Sequence, residues 1–357
     1  MNRWFVSLAI ALVLIVSPMF AATATINLPQ TGQTTSYAAG DDGDIRAGVA
    51  WPAPRFTANG NGTVTDRLTG LMWTSNANMA GGKVTWQEAL DLVASLNRGA
   101  LKNYGHTDWR LPSVNELESL LNTEHSVAAT WLNKQGATGV QPYYYWSSTS
   151  YASRASFAWV VGMGNGLVFY DDKIFKNAFF WPVCTATGAS GNPVIAQTGQ
   201  TTSYAPGDDG ALKAGTAWPA PRFTDKANGT VTDNLTTLMW TKDASTPLVG
   251  ACPGGIKTWQ EALDYVKCLN TGNYLGYNNW RLPNTRELNS LIDRAKAWPL
   301  ALPAGHPFIN VQAHYYWTSN TYNLYNPYAG IVLLASGSID YTNKTYQLFV
   351  WPVRTGQ

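Results

Sequence analysis

The chain repeats itself once along its length, and this duplication constrains the fold more than any other feature. Matching segments return in the same order at residues 30–38 and 197–205, 50–57 and 217–224, and 86–91 and 259–264. A repeat of this length predicts two copies of one domain and argues against a solenoid of short units. We therefore predict a first repeat over residues 25–188 and a second repeat over residues 189–357, joined by a small, polar linker at residues 185–193.

The first residues have the pattern of a secretory leader. Arg3 precedes an apolar run over residues 4–16, and small residues lead up to Ala24. The run is too short for a good membrane span, so we predict a signal peptide over residues 1–24, with a membrane anchor as the alternative. No later stretch reaches spanning length. The mature chain is therefore predicted to be exported to the periplasm, the cell surface or the medium, without a membrane span.

The composition argues against one class of partner. Charged residues make up 13% of the chain, the formal net charge is +2, and no basic run is present. Nucleic-acid binding proteins carry a concentrated basic surface, so no nucleic-acid partner is predicted. The 16 Trp and 18 Tyr are unusually many, and each of them is a candidate either for the core or for a binding surface.

Each repeat is predicted to form a hairpin, two helices and then a series of strands. An Asn-Gly turn predicts a hairpin over residues 55–66. Capping boxes at residues 85–88 and 113–116 predict the starts of two helices. Short aromatic and β-branched runs between residues 143 and 183 predict an antiparallel meander. This order predicts an α+β fold.

A motif of the form Trp-Arg-Leu-Pro-x-x-x-Glu occurs in both repeats. Its main residues are Trp109, Arg110, Glu116, Trp280, Arg281 and Glu287. Each Glu is expected at the third position of a helix, where a carboxylate binds free backbone amides and meets the positive helix end. The nearby Arg is expected to pair with it. A catalytic role is the alternative, and we favour the structural one.

Four motifs, in the same order in both repeats, resemble the Lcl C-terminal domain, a bacterial domain also known as DUF1566. In the first repeat they span residues 66–73, 86–90, 109–117 and 145–149. The second repeat departs from the pattern at Thr237, where the first has Gly70. The Arg-Leu-Pro core is also similar to formylglycine-generating-enzyme-like domains. These resemblances imply two tandem C-type-lectin-like domains, each with two helices packed on twisted antiparallel sheets with long loops.

The resemblance also implies a function. The collagen-like adhesin that gives the family its name binds sulfated polysaccharides and forms trimers. This chain contains no collagen-like stretch to enforce a trimer, and its net charge of +2 does not suit a polyanion. Glycan binding is therefore expected, whereas the anionic ligand and the trimer are not carried over.

Catalysis is not predicted. The four histidines are His106, His125, His306 and His314, and none aligns with a histidine in the other repeat. No cysteine is shared, so the thiol chemistry of a formylglycine-generating enzyme would be lost. A degenerate enzyme of that type is kept as an alternative, and no cofactor is predicted.

The cysteines predict one disulfide. Cys252 and Cys268 flank a helix of the second repeat, and their counterparts Met79 and Ser95 are both different residues. Paired presence or absence suggests a bond between them. Cys184 is left over, either as a buried thiol or as a site that links chains. No zinc site is predicted, because no histidines lie at matching spacing.

An acidic segment near the start of the first repeat is a calcium candidate. Asp41, Asp42 and Asp44 could supply carboxylate oxygens, but Ala211 replaces the third of them in the second repeat. Calcium needs six or more oxygen ligands, so a solvated turn is favoured.

The tyrosine-rich loops are the predicted ligand-binding site. The candidates are Tyr143, Tyr144, Tyr151, Tyr315, Tyr322, Tyr325 and Tyr328. About half of the side chains of a strand face the core, and the others are free to stack on sugar rings or on a protein. We predict an exported, non-enzymatic binding or adhesion protein whose partner is an extracellular glycan or a surface protein. A structural component of a surface or an extracellular filament is the alternative, and homo-oligomerisation is left open.

Overall fold

The computed structural model describes residues 25–125, 127–186, 194–296 and 298–356. The predicted signal peptide lies outside these residues, and so does most of the predicted linker. The two repeats form corresponding elements in the same order, which confirms the predicted tandem α+β organisation.

The first repeat contributes elements that begin in its N-terminal segment and end close to the linker. They are α1 (Asp42–Ile45), β1 (Phe56–Ala58), β2 (Thr63–Asp66), β3 (Leu71–Thr74), α2 (Trp86–Asn97), α3 (Val114–Ser119), α4 (Ala128–Leu132), β4 (Tyr144–Ser150), β5 (Phe157–Gly162), β6 (Val168–Asp172) and β7 (Val183–Thr185).

The second repeat follows the same order, except that its described residues form no counterpart of α4 and add a short 3₁₀ turn at Tyr274–Gly276. Its elements are α5 (Asp209–Leu212), β8 (Phe223–Asp225), β9 (Thr230–Asp233), β10 (Leu238–Thr241), α6 (Trp259–Thr271), α7 (Thr285–Ser290), β11 (Tyr315–Thr321), β12 (Tyr328–Leu333), β13 (Ile339–Asn343) and β14 (Val353–Thr355).

The helices begin where the capping boxes predict. Thr85 caps α2 and Ser113 caps α3, and in each case a Glu three residues later returns the bond to the backbone of the cap. The same arrangement begins α6 and α7. Trp86 is 3% exposed, which confirms that its face of α2 packs on the core.

Each repeat builds a four-stranded antiparallel sheet. In the first repeat the strand order is β1-β2-β3-β7, and Phe56 pairs with Asp66 in the predicted hairpin. The run at residues 178–183 was predicted to extend the meander. Instead it leads into β7, whose Val183 pairs with Trp73 of β3. The end of the repeat is therefore fixed beside its start.

The meander strands of the two repeats join into one sheet. Its order is β11-β12-β13-β6-β5-β4, and the repeats meet where Ile339 of β13 pairs with Val168 of β6. These are the first residues of both strands and the pairing is antiparallel. The two strands therefore run away from each other, and their C-terminal ends lie at opposite ends of the sheet.

The N-terminal segment of each repeat contacts its own repeat and also the other one. We call residues 25–51 the first arm and residues 194–218 the second arm. Ile26 of the first arm donates its amide to Leu235 O of the second repeat at 2.8 Å. Asn115 of the first repeat donates to Ala196 O of the second arm at 3.2 Å. Because each arm completes the other repeat, the two repeats form one body.

The main hydrophobic core is likewise shared. One cluster contains buried residues from both repeats, among them Trp159 and Val168 of the first and Leu288 and Ile339 of the second. Two further clusters lie beneath α2 and α6, one in each repeat. Among the described residues, no helix is both long enough and apolar enough to cross a membrane.

Candidate functional site

The Arg and Glu of the shared motif form a buried ion pair. In the first repeat Arg110 meets Glu116 through two contacts of 2.5 and 2.6 Å, and in the second Arg281 meets Glu287 through two of 2.5 Å. Each Glu also accepts the amide of its helix cap, at 2.8 Å from Ser113 in the first repeat. The predicted capping role and the predicted pairing are both confirmed.

A carboxylate from the opposite arm lies close to each ion pair. Asp209 of the second arm accepts from Thr149 at 2.7 Å and from Thr198 at 2.6 Å. Burial, together with the charge of Glu116, raises the pKa of Asp209 to about 6. Asp209 and Glu116 are each 2% exposed, so a substrate would have to displace the arm to reach them. We assign this cluster to holding the arm.

The first arm makes the corresponding contact with the second repeat. Asp42 accepts from Asn320 at 2.8 Å and also from Thr31 of its own arm. Burial is the largest cause that raises the pKa of Asp42 to about 6, and the charge of Glu287 adds to it. The two arms are therefore held by matching buried carboxyl groups.

These two carboxyl groups predict an unusual dependence of stability on pH. Their pKa values in the folded protein, about 6, lie above the ordinary value of 3.8. Their contribution to stability is therefore complete below the ordinary value and is lost as the pH rises through about 6. We expect the free energy of unfolding to fall by about 2–3 kcal/mol for the pair from about pH 5 to about pH 7.5. Urea denaturation across this range measures the change. The double variant Asp42→Asn with Asp209→Asn should flatten it, and an unchanged pH dependence in that variant would refute the assignment.

The calcium candidates do not converge on one point. Asp41 caps α1 and accepts from the amides of Tyr37 at 2.7 Å and Asp44 at 2.9 Å, while Asp42 faces the second repeat. Asp44 accepts from the amide of Gly40 at 2.8 Å. The favoured solvated turn is wrong for two of the three residues, because Asp41 and Asp42 are buried. Their oxygens bind backbone and side-chain donors of the arm and its partner.

The cysteines pair as predicted. Cys252 and Cys268 form a disulfide with their Cα atoms 5.7 Å apart, and it ties the loop before α6 to that helix. Cys184 is a free, buried thiol. It lies with His106 and Asp108 in a group whose candidate ligand atoms are all within 4.8 Å of one another. Sequence spacing did not predict this group, because Cys184 is far along the chain from His106 and Asp108.

The predicted tyrosines occupy three different environments. Tyr151 stacks on Tyr170, with the two ring centroids 3.9 Å apart. Tyr322 stacks on Tyr341, with the two ring centroids 4.1 Å apart. Tyr151 is 8% exposed and also packs on Trp159, so it belongs to the core. Its burial removes it from the accessible candidates.

Three more of the predicted tyrosines lie along the sheet between the ends of the molecule. Tyr144 and Tyr315 are half-buried at the starts of β4 and β11, and the Tyr144 ring packs on Phe169 at 4.7 Å. Tyr143 is exposed, but Lys83 already covers its ring, with the ammonium 3.4 Å from the centroid.

The last two predicted tyrosines, Tyr325 and Tyr328, lie on an exposed surface at one end of the sheet. We call this surface the second aromatic end. It comprises Tyr37, Leu324, Tyr325, Tyr328 and Tyr346. Tyr325 is 57% exposed and Tyr346 is 61% exposed. The rings of Tyr325 and Tyr328 are 5.1 Å apart, and the Tyr37 hydroxyl donates to the nearby Asn323 at 3.5 Å.

The corresponding surface of the first repeat, the first aromatic end, comprises Phe157, Phe175, Tyr204 and Trp298. Phe175 is 53% exposed and Trp298 is 69% exposed. Trp298 comes from the second repeat, and its amide donates to Ser153 of the first at 3.3 Å. Sequence reasoning missed Phe175, Tyr204 and Trp298. Phe175 and Tyr346 could have been found, because each follows a shared lysine in a turn, where a core aromatic is not expected.

A lysine at the base of each aromatic end was also missed. Lys173 donates to Ser150 Oγ at 2.6 Å, with its ammonium 3.9 Å from the Trp86 ring and 5.1 Å from Tyr204 of the second arm. Lys344 has the same relation to Trp259 and to Tyr37 of the first arm. Burial lowers the pKa of both lysines to about 8. Each therefore joins an arm to the opposite repeat.

The two aromatic ends point in opposite directions. Phe157 pairs with Asp172 at the C-terminal end of β6, and Tyr328 pairs with Asn343 at the C-terminal end of β13. Since β6 and β13 run away from each other, the surfaces beyond those ends lie at opposite edges of the six-stranded sheet.

The cavities differ in size and in position, and the one between the repeats is small. The cavity lined by Ile26, Glu118 and Arg286 has a volume of about 50 Å³. A larger hollow of about 490 Å³ is bordered by Pro219 and Thr237, and among the described residues its lining has no ionisable side chain. Its volume is in the range of ligand sites, but such sites usually also include a charged residue or other convergent polar groups that fix the ligand. The exposed aromatic ends are therefore the stronger candidates for recognition.

Comparison with known proteins assigns the chain to a family. The model of the Lcl C-terminal domain matches residues 62–184 and residues 229–354, which together make up more than half of the chain. No curated protein matches it. Each matched region contains the buried Arg–Glu pair and most of its repeat's strands. The chain belongs to the Lcl C-terminal domain family and carries two copies of that domain in tandem.

Proposed function

We propose that the protein is an exported, non-enzymatic binding protein that recognises glycan chains through its two aromatic ends. The observation that carries this proposal is the exposure of large rings at the same place in both repeats. Phe175 and Tyr346 are more than half exposed although rings of this size ordinarily pack inside. A flat apolar face of this kind stacks on a sugar ring, and the tyrosine hydroxyl adds a hydrogen bond.

The surroundings of the rings support a neutral glycan. Arg154 lies over the Phe157 ring at 4.8 Å in the first aromatic end, and Asn323 lies beside Tyr37 in the second. Such groups can bind sugar hydroxyls. With a net charge of +2, the chain lacks the positive field that a sulfated polymer would call for. We further propose that each repeat is a C-type-lectin-like domain, with two helices packed on twisted antiparallel sheets with long loops.

The opposite directions of the two aromatic ends favour the linking of two glycan chains over the binding of one short chain by both ends. Two surfaces that face apart cannot both bind one short, straight segment of ligand, so avidity on a single short chain is not expected. They can bind two glycan chains, or two distant parts of one flexible chain. The proposed role is therefore to link glycans to one another or to a surface.

A glycan array tests recognition. Mature protein covering residues 25–357 is expected to bind neutral glycans. The variant Tyr325→Ala with Tyr346→Ala should bind about thirtyfold more weakly at the second end, because each of the two lost rings contributes on the order of 1 kcal/mol. Leu101→Ala is the control. Leu101 is exposed and follows the C-terminus of α2, whereas the first aromatic end adjoins Trp86 at its N-terminus.

A structural role in a surface layer or filament is the second candidate, and it rests on the same exposed rings. Sedimentation of the mature protein over a range of concentrations separates the two proposals. Absence of binding to every glycan, together with concentration-dependent assembly, would replace the glycan proposal with the structural one. Export is tested by the N-terminus of the cell-derived protein, expected after Ala22 or Ala24.

A further inference from the structure

Three potential metal ligands meet at one point of the first repeat. His106 Nδ1 lies 3.9 Å from an oxygen of Asp108, and the Cys184 sulfur joins them, all candidate atoms lying within 4.8 Å of one another. Cys184 is fully buried, His106 is partly buried, and the Asp108 side chain is 60% exposed. The group is therefore anchored in the protein on the thiol side and open to solvent on the carboxylate side.

The backbone positions of Cys184 and His106 are fixed by neighbouring structure. Cys184 lies on β7, paired with Met72 of β3. The amide of His106 donates to Asn103 O at 3.0 Å, and the imidazole packs edge-on against Trp109 at 5.7 Å. A binding site whose ligands are already held costs less entropy to complete than one assembled from mobile loops.

The second repeat places a cation at the same point. Arg354 of β14 pairs with Met239 of β10, as Cys184 pairs with Met72 in the first repeat. Its guanidinium donates to Asn279 Oδ1 at 2.7 Å and lies 3.9 Å from the centroid of the Tyr277 ring. Tyr277 and Asn279 correspond in sequence to His106 and Asp108. The position thus accommodates a positive group in one repeat.

The three sequence differences between the repeats at this position all favour a metal ion in the first repeat. Where the second repeat has Arg354, Tyr277 and Asn279, the first has a thiol, an imidazole and a carboxylate, each of which ligates metal ions. The first repeat has no guanidinium at this position and has three potential metal ligands instead. If the first repeat needed only a neutral side chain to fill the space of Arg354, one change would have been enough.

We propose that His106, Asp108 and Cys184 bind a divalent transition-metal ion of the Zn²⁺ class, with solvent completing the coordination. Thiolate, imidazole and carboxylate together suit Zn²⁺ and do not suit calcium or magnesium, which take oxygen ligands. Binding replaces the S–H bond of Cys184 by a sulfur–metal bond and releases the proton to solvent. The ion would tie the loop that contains His106 to β7.

Metal titration of the mature chain tests this site. Binding of Zn²⁺ is followed by calorimetry, and binding of Co²⁺ by its absorption spectrum, in which a thiolate ligand produces a charge-transfer band. We expect one equivalent per chain, because Arg354 fills the matching position of the second repeat. We also expect a rise in melting temperature with Zn²⁺, since the ion binds only the folded state.

Two variants separate ligation from packing. Cys184→Ser should abolish the charge-transfer band, and Asp108→Asn should weaken Zn²⁺ binding by roughly a hundredfold or more, by comparison with the effect of lost outer-shell partners. The Asp108 side chain is mostly exposed, so that variant is expected to fold, and circular dichroism checks it. Absence of the thiolate band in the wild type, or equal Zn²⁺ affinity in the wild type and Asp108→Asn, would overturn the proposal.

Discussion

Replacement of Glu287 by Ala is expected to lower the free energy of unfolding by about 3–5 kcal/mol. Glu287 is 3% exposed and binds Arg281 through two contacts of 2.5 Å, so its loss leaves a buried guanidinium without a partner. The variant also removes the acceptor for the amide of Asn284, at 2.9 Å in the wild type. Urea denaturation followed by tryptophan fluorescence measures the change.

The chain supplies a matched control for this variant. Glu261 occupies the same third position of α6 and accepts the amide of Thr258 at 2.8 Å, but it is exposed and no guanidinium is bound to it. Glu261→Ala therefore removes a capping carboxylate without leaving a buried charge, and we expect a much smaller loss. Equal losses in the two variants would show that capping, and not the buried pair, carries the stability.

Separation of the repeats is expected to have a second large effect. Each repeat expressed alone keeps its own arm but lacks the contacts that the other arm makes with it. In the intact chain, Gln200 of the second arm exchanges two hydrogen bonds with Ser150 of the first repeat, at 2.8 and 2.9 Å. Gln33 of the first arm accepts the amide of Thr321 at 3.1 Å. Loss of these contacts would expose the shared core as well.

We expect each isolated repeat to form a symmetric dimer. The two arms share the segment from Gln to Ala at residues 30–38 and 197–205, so the arm of a second copy can supply the contacts that are missing. Light scattering coupled to gel filtration measures the mass of each repeat, and a mixture of the two should form the mixed pair. A repeat that is monomeric and as stable as the intact chain would contradict the shared core.

Local features were predictable from the sequence because their causes are local. The capping boxes, the hairpin and the disulfide each depend on a few residues that lie close together in the sequence. The buried pair of Arg110 with Glu116 belongs to the same class, since a cap at a helix start brings the two close. These predictions are confirmed.

The joining of the repeats was not predictable. Val168 and Ile339 begin strands that resemble any other buried strand, and nothing in their composition shows which edge pairs with which. The arms present a similar difficulty, because identical segments carry no sign of whether they fold back on their own repeat or on the other.

The accessible tyrosines were only partly predictable, for a related reason. Alternation of apolar and polar residues separates core side chains from surface side chains when one face of a strand is exposed to solvent. However, β4 and β11 are buried on both faces after their first residue. Tyr151 and Tyr325 both lie after the ends of these strands, where alternation gives no information, so spacing did not distinguish the buried ring from the exposed one. Trp298 reaches the first aromatic end only through the packing of the second repeat on the first. The metal candidates His106 and Cys184 come together in the same long-range way.

The central claim is that the two aromatic ends bind glycan independently and on opposite sides of one body. Its most direct test is the binding stoichiometry of mature protein with a short glycan that the array identifies, measured by calorimetry. Two sites are expected in the wild type. In each pair variant, Phe175→Ala with Trp298→Ala or Tyr325→Ala with Tyr346→Ala, one of the two sites is expected to keep the wild-type affinity and the other to weaken, and in the fourfold variant both sites should weaken. With a multivalent glycan, only the wild type should form cross-linked particles. A fourfold variant that folds normally and still binds two glycans per chain with the wild-type affinity would contradict the claim.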